Sequence, residues 1–151
     1  MKQPKVINHL VVHCSASRPK SKTDISTITR DHKARGFSTI GYHYVIYRDG
    51  SVHKGRPDTE VGAHVTARNV GSLGICLVGG LNDDSGKPEN NFTEAQFDSL
   101  RQLLFTLTKQ HPQAKVLGHR DLSPDLNKNG KIERSEWVKE CPCFDVRTWW
   151  G

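Results

Sequence analysis

Two histidines stand at the ends of apolar runs in this chain, and their placement is the first sign of chemistry. His13 follows Val6–Val12, and His119 follows Val116-Leu117-Gly118. Both runs read as strands, and the carboxyl ends of strands in an open α/β sheet are where ligand sites gather. Taken singly, a strand-end histidine is a structural residue more often than a ligand. The late Cys141-Pro142-Cys143, between a charged segment and a short aromatic tail, adds a thiol. Two neutral imidazoles and one thiolate are a sound donor set for a catalytic zinc whose fourth position is left to water. The long separations match no zinc-finger pattern. On spacing alone, one cysteine of the late pair is a candidate metal ligand or nucleophile, and the choice stays open.

Cys14 and Cys76 lie inside apolar runs and read as buried free thiols. His13 and Cys14 are neighbours on one strand, so their side chains point to opposite faces and cannot form a nucleophile–base pair.

A second metal pattern lies between His119 and Cys141. Residues Asp125 to Glu136 fit D-x-[DN]-x-[DN]-G-x5-E in full. Asp125, Asn127 and Asn129 would offer oxygens from the first, third and fifth positions, and Gly130 would allow the sharp turn. Lys131 would give its backbone carbonyl, and Glu136 would be the bidentate carboxylate. Glu133 could ligate directly or through water. Pro124 argues against a full entering helix, so the expectation is a single calcium loop with an exiting helix. The plain alternative is a polar Asn/Gly turn without metal.

These residues need elements to position them. Val6–Val12 reads as a buried strand. Asp24 can cap a helix running through Ile25, Ile28 and His32 to Gly36, a natural stop. Tyr42–Tyr47 is rich in strand formers, Arg48-Asp49-Gly50 signals a turn, and Ser51–Lys54 returns as the second arm of a hairpin. Leu73–Val78 is another buried strand. Thr93 with Gln96 makes a capping box for a helix carrying Phe97, Leu100, Leu103, Leu104 and Leu107 at helical spacing, ended near Pro112. Val116-Leu117-Gly118 then delivers His119. Strands alternating with helices predict an α/β fold of three layers around a central mixed sheet.

At 151 residues the chain fits one domain, 1–151, with enough length for a core that needs no disulfides. Apolar residues make up 34% and charged residues 25%; because the apolar ones cluster, disorder is excluded. No apolar run approaches the roughly 20 residues of a membrane span. The basic opening Met1–Lys5, followed by an apolar stretch broken at Asn8 and His9, makes a poor signal peptide. A cytoplasmic chain without a leader, and with reduced cysteines, is therefore expected. The formal charge of +6 favours encounter with polyanions, anionic cell-wall polymer among them, but no Lys/Arg block or basic–aromatic alternation singles out nucleic acid.

Five segments in order carry a family resemblance. They are Val12-His13-Cys14-Ser15-Ala16, Gly41-Tyr42-His43-Tyr44, Val61-Gly62-Ala63-His64, Gly74-Ile75-Cys76-Leu77-Val78-Gly79-Gly80 and Cys141-Pro142-Cys143-Phe144-Asp145. Each is weak alone. Together, from about Val6 to Trp150, they resemble the zinc-dependent N-acetylmuramoyl-L-alanine amidases of the type 2 amidase and peptidoglycan-recognition superfamily.

That resemblance implies an amidase-like fold with zinc ligands at His13, His119 and Cys141. It places a catalytic tyrosine at Tyr42, beside the metal, and a catalytic lysine at Lys139, two residues before the ligand cysteine. It puts His64 and Asn69 on the substrate side, although Arg68-Asn69-Val70-Gly71 departs from a pattern in which small residues precede the asparagine. His119 and Cys141 are farther apart than in phage members of the family, and the calcium-like segment forms an insertion at about 123–138. The implied reaction is hydrolysis of the amide joining N-acetylmuramic acid to L-alanine, as in phage or prophage endolysins that reach the cell wall after release. Peptidoglycan is then the partner, and a monomer with no nucleic-acid or membrane role is expected. The alternative from the same superfamily is a non-catalytic peptidoglycan-recognition module, or a regulator of an intracellular partner. Such binders can lose the ligand cysteine; Cys141, Tyr42 and Lys139 are all present here, which favours catalysis.

Overall fold

The computed structural model describes residues 1–65, 68–122 and 141–151. The chain runs β1 (His9–Cys14), a 3-10 turn at Pro19–Ser21, α1 (Ile25–Ala34), β2 (Tyr44–Ile46), β3 (Val52–Lys54), β4 (Ser72–Leu77), α2 (Glu94–Gln110), β5 (Lys115–Gly118), a 3-10 turn at His119–Leu122 and α3 (Val146–Trp150). The five strands form one mixed sheet in the order β3-β2-β4-β1-β5. β1 pairs in parallel with both β4 and β5, β2 pairs in parallel with β4, and only β3 is antiparallel, as the return arm of its hairpin with β2. The expected three-layer α/β architecture is the one observed.

Alternation along β1 sorts the two faces of the sheet. Leu10, Val12 and Cys14 join Leu73, Ile75 and Leu77 of β4 on the face covered by α2 and α3. Leu100, Leu104 and Leu107 of α2 are fully buried there, each contributing roughly 1.5–3 kcal/mol of apolar burial. On the opposite face, Val11 packs with Val65 and Leu117, while Val45 and Cys76 pack beneath Ile28 of α1 and Ile40. His13 follows the alternation of Val11 and so belongs to this second face, with Cys14 on the first.

Both predicted helix starts are built as capping boxes. The Asp24 side chain accepts from the Thr27 amide, and Thr93 accepts from Gln96, with the reciprocal bonds also made. Gln96 does more than cap: its buried amide nitrogen donates to the carbonyls of Ile46 and Val78, tying the start of α2 to the sheet. β1 begins at His9 rather than Val6, because sheet pairing starts where His9 meets Ser72 and Val6 is 45% exposed. No helix among the described residues is long and apolar enough to cross a membrane.

Candidate metal centre

The carboxyl ends of β1 and β5 lie side by side because the two strands are parallel neighbours. His13, near the end of β1, and His119, immediately after β5, are thereby brought together, with ring centroids 4.7 Å apart. Gly118, next to His119, leaves space that the C-terminal segment uses: a Cβ there would stand 2.9 Å from Cδ of Pro142. The carbonyl of Cys141 accepts from the Arg120 amide at 3.0 Å, which fastens the returning segment to the turn that holds His119. The Cys141 thiol in turn accepts from the Cys14 amide at 3.1 Å and lies 3.9 Å from Nδ1 of His13.

One ligand atom from each of His13, His119 and Cys141 falls within 4.8 Å of the others, with His13 buried and the other two half-buried. Tetrahedral zinc with these donors places ligand atoms roughly 3.5 Å apart, so the cluster needs only about an ångström of closure to hold one. Among the described residues the set has three donors, as a catalytic zinc site does, rather than the four of a structural one. Sequence spacing left the choice between Cys141 and Cys143 open. The structure puts the Cys141 thiol in the cluster, while the Cys143 thiol donates to the carbonyl of Gly80 at 3.5 Å.

Tyr42 flanks this cluster, its ring centroid 5.2 Å from that of His13 and 5.3 Å from that of His32. Burial holds its phenol well above the usual range, with neighbouring Cys76, Cys141 and Cys14 adding to the effect, so it is a neutral hydroxyl. The Cys14 thiol is pushed up to about 12, first by its hydrogen bond with Cys141 and further by burial. Burial also raises Cys76 far above the thiol range. Neither is a thiolate nucleophile, as their apolar runs suggested. Beyond Tyr42 opens a cavity of about 300 Å³ whose lining includes Ser15, Ser17, Arg30 and Arg35. It lies between the end of β1 and α1, and its lining is mostly polar, with Asp31 beside the two arginines.

His64 and Asn69, given to the substrate side by the family resemblance, lie beside the donor cluster. His64 is buried behind His13, with Nδ1 at 2.8 Å from Nε2 of His13 and Nε2 at 3.2 Å from the Ser72 hydroxyl. Burial, with His43 and His119 nearby, lowers its pKa to about 3, so its ring is neutral. The side-chain oxygen of Asn69 accepts from the amides of His64 and Val65. His64 thus touches His13 directly, and Asn69 holds the backbone that carries His64. Lys139 and the calcium-loop residues Asp125, Asn127, Asn129, Lys131 and Glu136 lie outside the described residues.

Known proteins of one family resemble this chain in sequence and in fold. The family model for N-acetylmuramoyl-L-alanine amidase matches residues 3–142. An endolysin of Escherichia phage T7 is 40% identical over 149 residues, covering 99% of this chain and 89% of the relative. An uncharacterised protein of Haemophilus influenzae is 56% identical over 101 residues, covering 67% of this chain and 86% of its own length. Among solved structures, the N-acetylmuramoyl-L-alanine amidase LysC from Clostridium intestinale superposes with a TM-score of 0.71 at 25% identity, over 96% of this chain and 83% of that one.

Proposed function

The chain belongs to the N-acetylmuramoyl-L-alanine amidase family and is a peptidoglycan amide hydrolase, and from that premise we propose that it works through a zinc ion held by His13, His119 and Cys141. The observation that carries the proposal is the convergence of these three donors, within 4.8 Å, from the ends of β1 and β5 and the C-terminal turn. The bond cut is the amide between N-acetylmuramic acid and L-alanine, and the setting is the cell wall reached after release, as for the endolysins it is similar to.

Zinc, when bound, supplies Lewis acidity that polarises the scissile carbonyl and makes water a nucleophile near neutral pH. The neutral phenol of Tyr42 orients the attacking water by hydrogen bonding and excludes bulk solvent from the face of His13. Lys139, placed by the family resemblance, offers a cation to the developing oxyanion or a proton to the leaving amine of L-alanine. The cavity beside Tyr42 receives the muropeptide, its Arg30 and Arg35 suiting the carboxylates of a stem peptide. Cys14 and Cys76 take no part, since a thiol kept protonated does not attack.

The test is muropeptide release from purified sacculi. The protein as isolated should free stem peptides ending in a new L-alanine amine, a zinc chelator should abolish that release, and added zinc should restore it. Release that persists unchanged in chelator would end the zinc reading, and binding to sacculi without any release would make the chain a recognition module.

The insertion at about 123–138 is proposed to hold calcium through Asp125, Asn127, Asn129, the Lys131 carbonyl and Glu136, on the strength of its sequence pattern. Calcium should then raise the melting temperature of the zinc-loaded protein by mass action, and Asp125→Ala combined with Glu136→Gln should abolish the rise. A wild-type melting curve indifferent to millimolar calcium would reduce the insertion to a turn.

A further inference from the structure

We propose that His64 and Ser72 form a buried relay that fixes the tautomer of His13, so that the nitrogen facing Cys141 carries a lone pair and not a proton. The inference rests on the zinc reading and adds two positioning residues to it.

The direction of the relay follows from its far end. The Ser72 hydroxyl is 2.9 Å from the carbonyl oxygen of Arg68 and 3.0 Å from that of Asn69. Carbonyls only accept, so the single hydroxyl proton is directed to them. The lone pairs of Ser72 are then left for His64, whose Nε2 lies 3.2 Å away and must bring the proton. A neutral imidazole carries one proton, so Nδ1 of His64 is an acceptor. It stands 2.8 Å from Nε2 of His13, which therefore donates. The remaining nitrogen of His13, Nδ1, is unprotonated on the side of the Cys141 thiol, 3.9 Å away. Reversing the relay would put a proton on that nitrogen and block it as a ligand. Ligand histidines are commonly oriented in this way by a partner on the other nitrogen.

The surroundings are shaped for the relay. Two amides, those of His64 and Val65, donate to the Asn69 side chain and set the backbone that carries the ring. Gly74 lies opposite Val11 in the sheet, and a Cβ there would come within 2.6–2.9 Å of three atoms of the His64 ring. Gly62 leaves similar room, since its Cβ would stand 2.7 Å from Cδ2 of His64. Ser72 and His64 are both buried, which keeps water from substituting for either partner.

The experiment measures zinc affinity by chelator competition, with amidase activity followed separately, in wild type and in His64→Leu, His64→Asn and Ser72→Ala. Replacing a partner of a metal-ligating histidine lowers metal affinity by about 10–100-fold, which is the loss expected for His64→Leu. His64→Asn, whose amide oxygen can reach the position of Nδ1, should recover most of that loss. Ser72→Ala should weaken zinc while leaving His64 in place. Imidazole ¹⁵N spectra of the zinc-free wild type should show His13 protonated at Nε2, and the Ser72→Ala spectrum should show the two tautomers mixed, a change that a purely structural role for Ser72 would not produce. The proposal is overturned if folded His64→Leu binds zinc as wild type does, if His64→Asn is no better than His64→Leu, or if wild-type His13 carries its proton on Nδ1. Should His64→Leu not fold, the wild-type and Ser72→Ala spectra decide alone. Wild-type protein that binds no zinc would refute the metal reading itself, whereas zinc affinity unmoved by these substitutions would refute only the relay.

Discussion

His13→Ala, His119→Ala and Cys141→Ala are each expected to bring muropeptide release down to background and bound zinc well below one per chain. Three protein ligands leave an open zinc site, and two cannot hold the ion against water and buffer. The chemistry lost with it is worth several kcal/mol of transition-state stabilisation; about 4 kcal/mol already corresponds to roughly 10³-fold in rate. The three substitutions should differ in their effect on the fold. His119 and Cys141 are half-buried, so truncating them should cost little stability, whereas His13 is 1% exposed and its loss also strips a partner from buried His64. Cys143→Ala is the control. Its thiol donates to the Gly80 carbonyl and is outside the donor cluster, so zinc content should be retained. Metal analysis together with release assays checks the set. Near-normal turnover with one zinc per chain in any of the three ligand variants would show that the wrong donors have been chosen.

The parts of this molecule legible in its sequence are those decided locally. The Asp24 and Thr93 caps were readable because a capping box is written within four residues, and the apolar spacing of Leu100, Leu104 and Leu107 named the face of α2 that reaches the core. The hairpin of β2 and β3 was announced by its turn residues. Helix α3 was not legible. Five residues are too few for a periodicity, and what anchors Val146–Trp150 is the packing of Trp149 against Phe97 and Phe144, residues distant in sequence or just outside the helix. Of the proposed ligand set, His13 and His119 were visible because they sit at strand ends, which a sequence can mark, whereas the choice of Cys141 came from the family resemblance. The position of His64 was not legible. It depends on the register that sets Gly74 opposite Val11 and on a histidine contact across 51 residues, and no local pattern encodes either. The family resemblance alone suggested a role on the substrate side; tertiary pairing sets the ring against His13.

Tyr42→Phe and Lys139→Ala are expected to separate the chemistry from the metal. Both should keep zinc and the fold yet lose amidase activity by roughly 10²-fold or more, the range for removing a group that acts in the transition state. For Tyr42 the geometry makes the substitution clean. The ring packs with Ile28, Ile40, Val45 and Cys76 and lies against His13 and His32, and phenylalanine preserves all of that surface. Only the hydroxyl is lost, and because burial keeps it neutral, what disappears is a positioned hydrogen bond rather than a charge. The loss should therefore fall on kcat more than on KM. For Lys139 the lost group is a cation, so Lys139→Arg should recover part of the activity if charge near the oxyanion matters. It should recover none if the lysine serves as a proton donor, because arginine does not give up its proton. Steady-state kinetics on a defined muropeptide, with zinc content measured on the same samples, supplies the readout. Full activity in both variants would leave the metal alone responsible for the reaction. Loss of zinc in Tyr42→Phe would instead reassign the tyrosine to holding the metal cluster together.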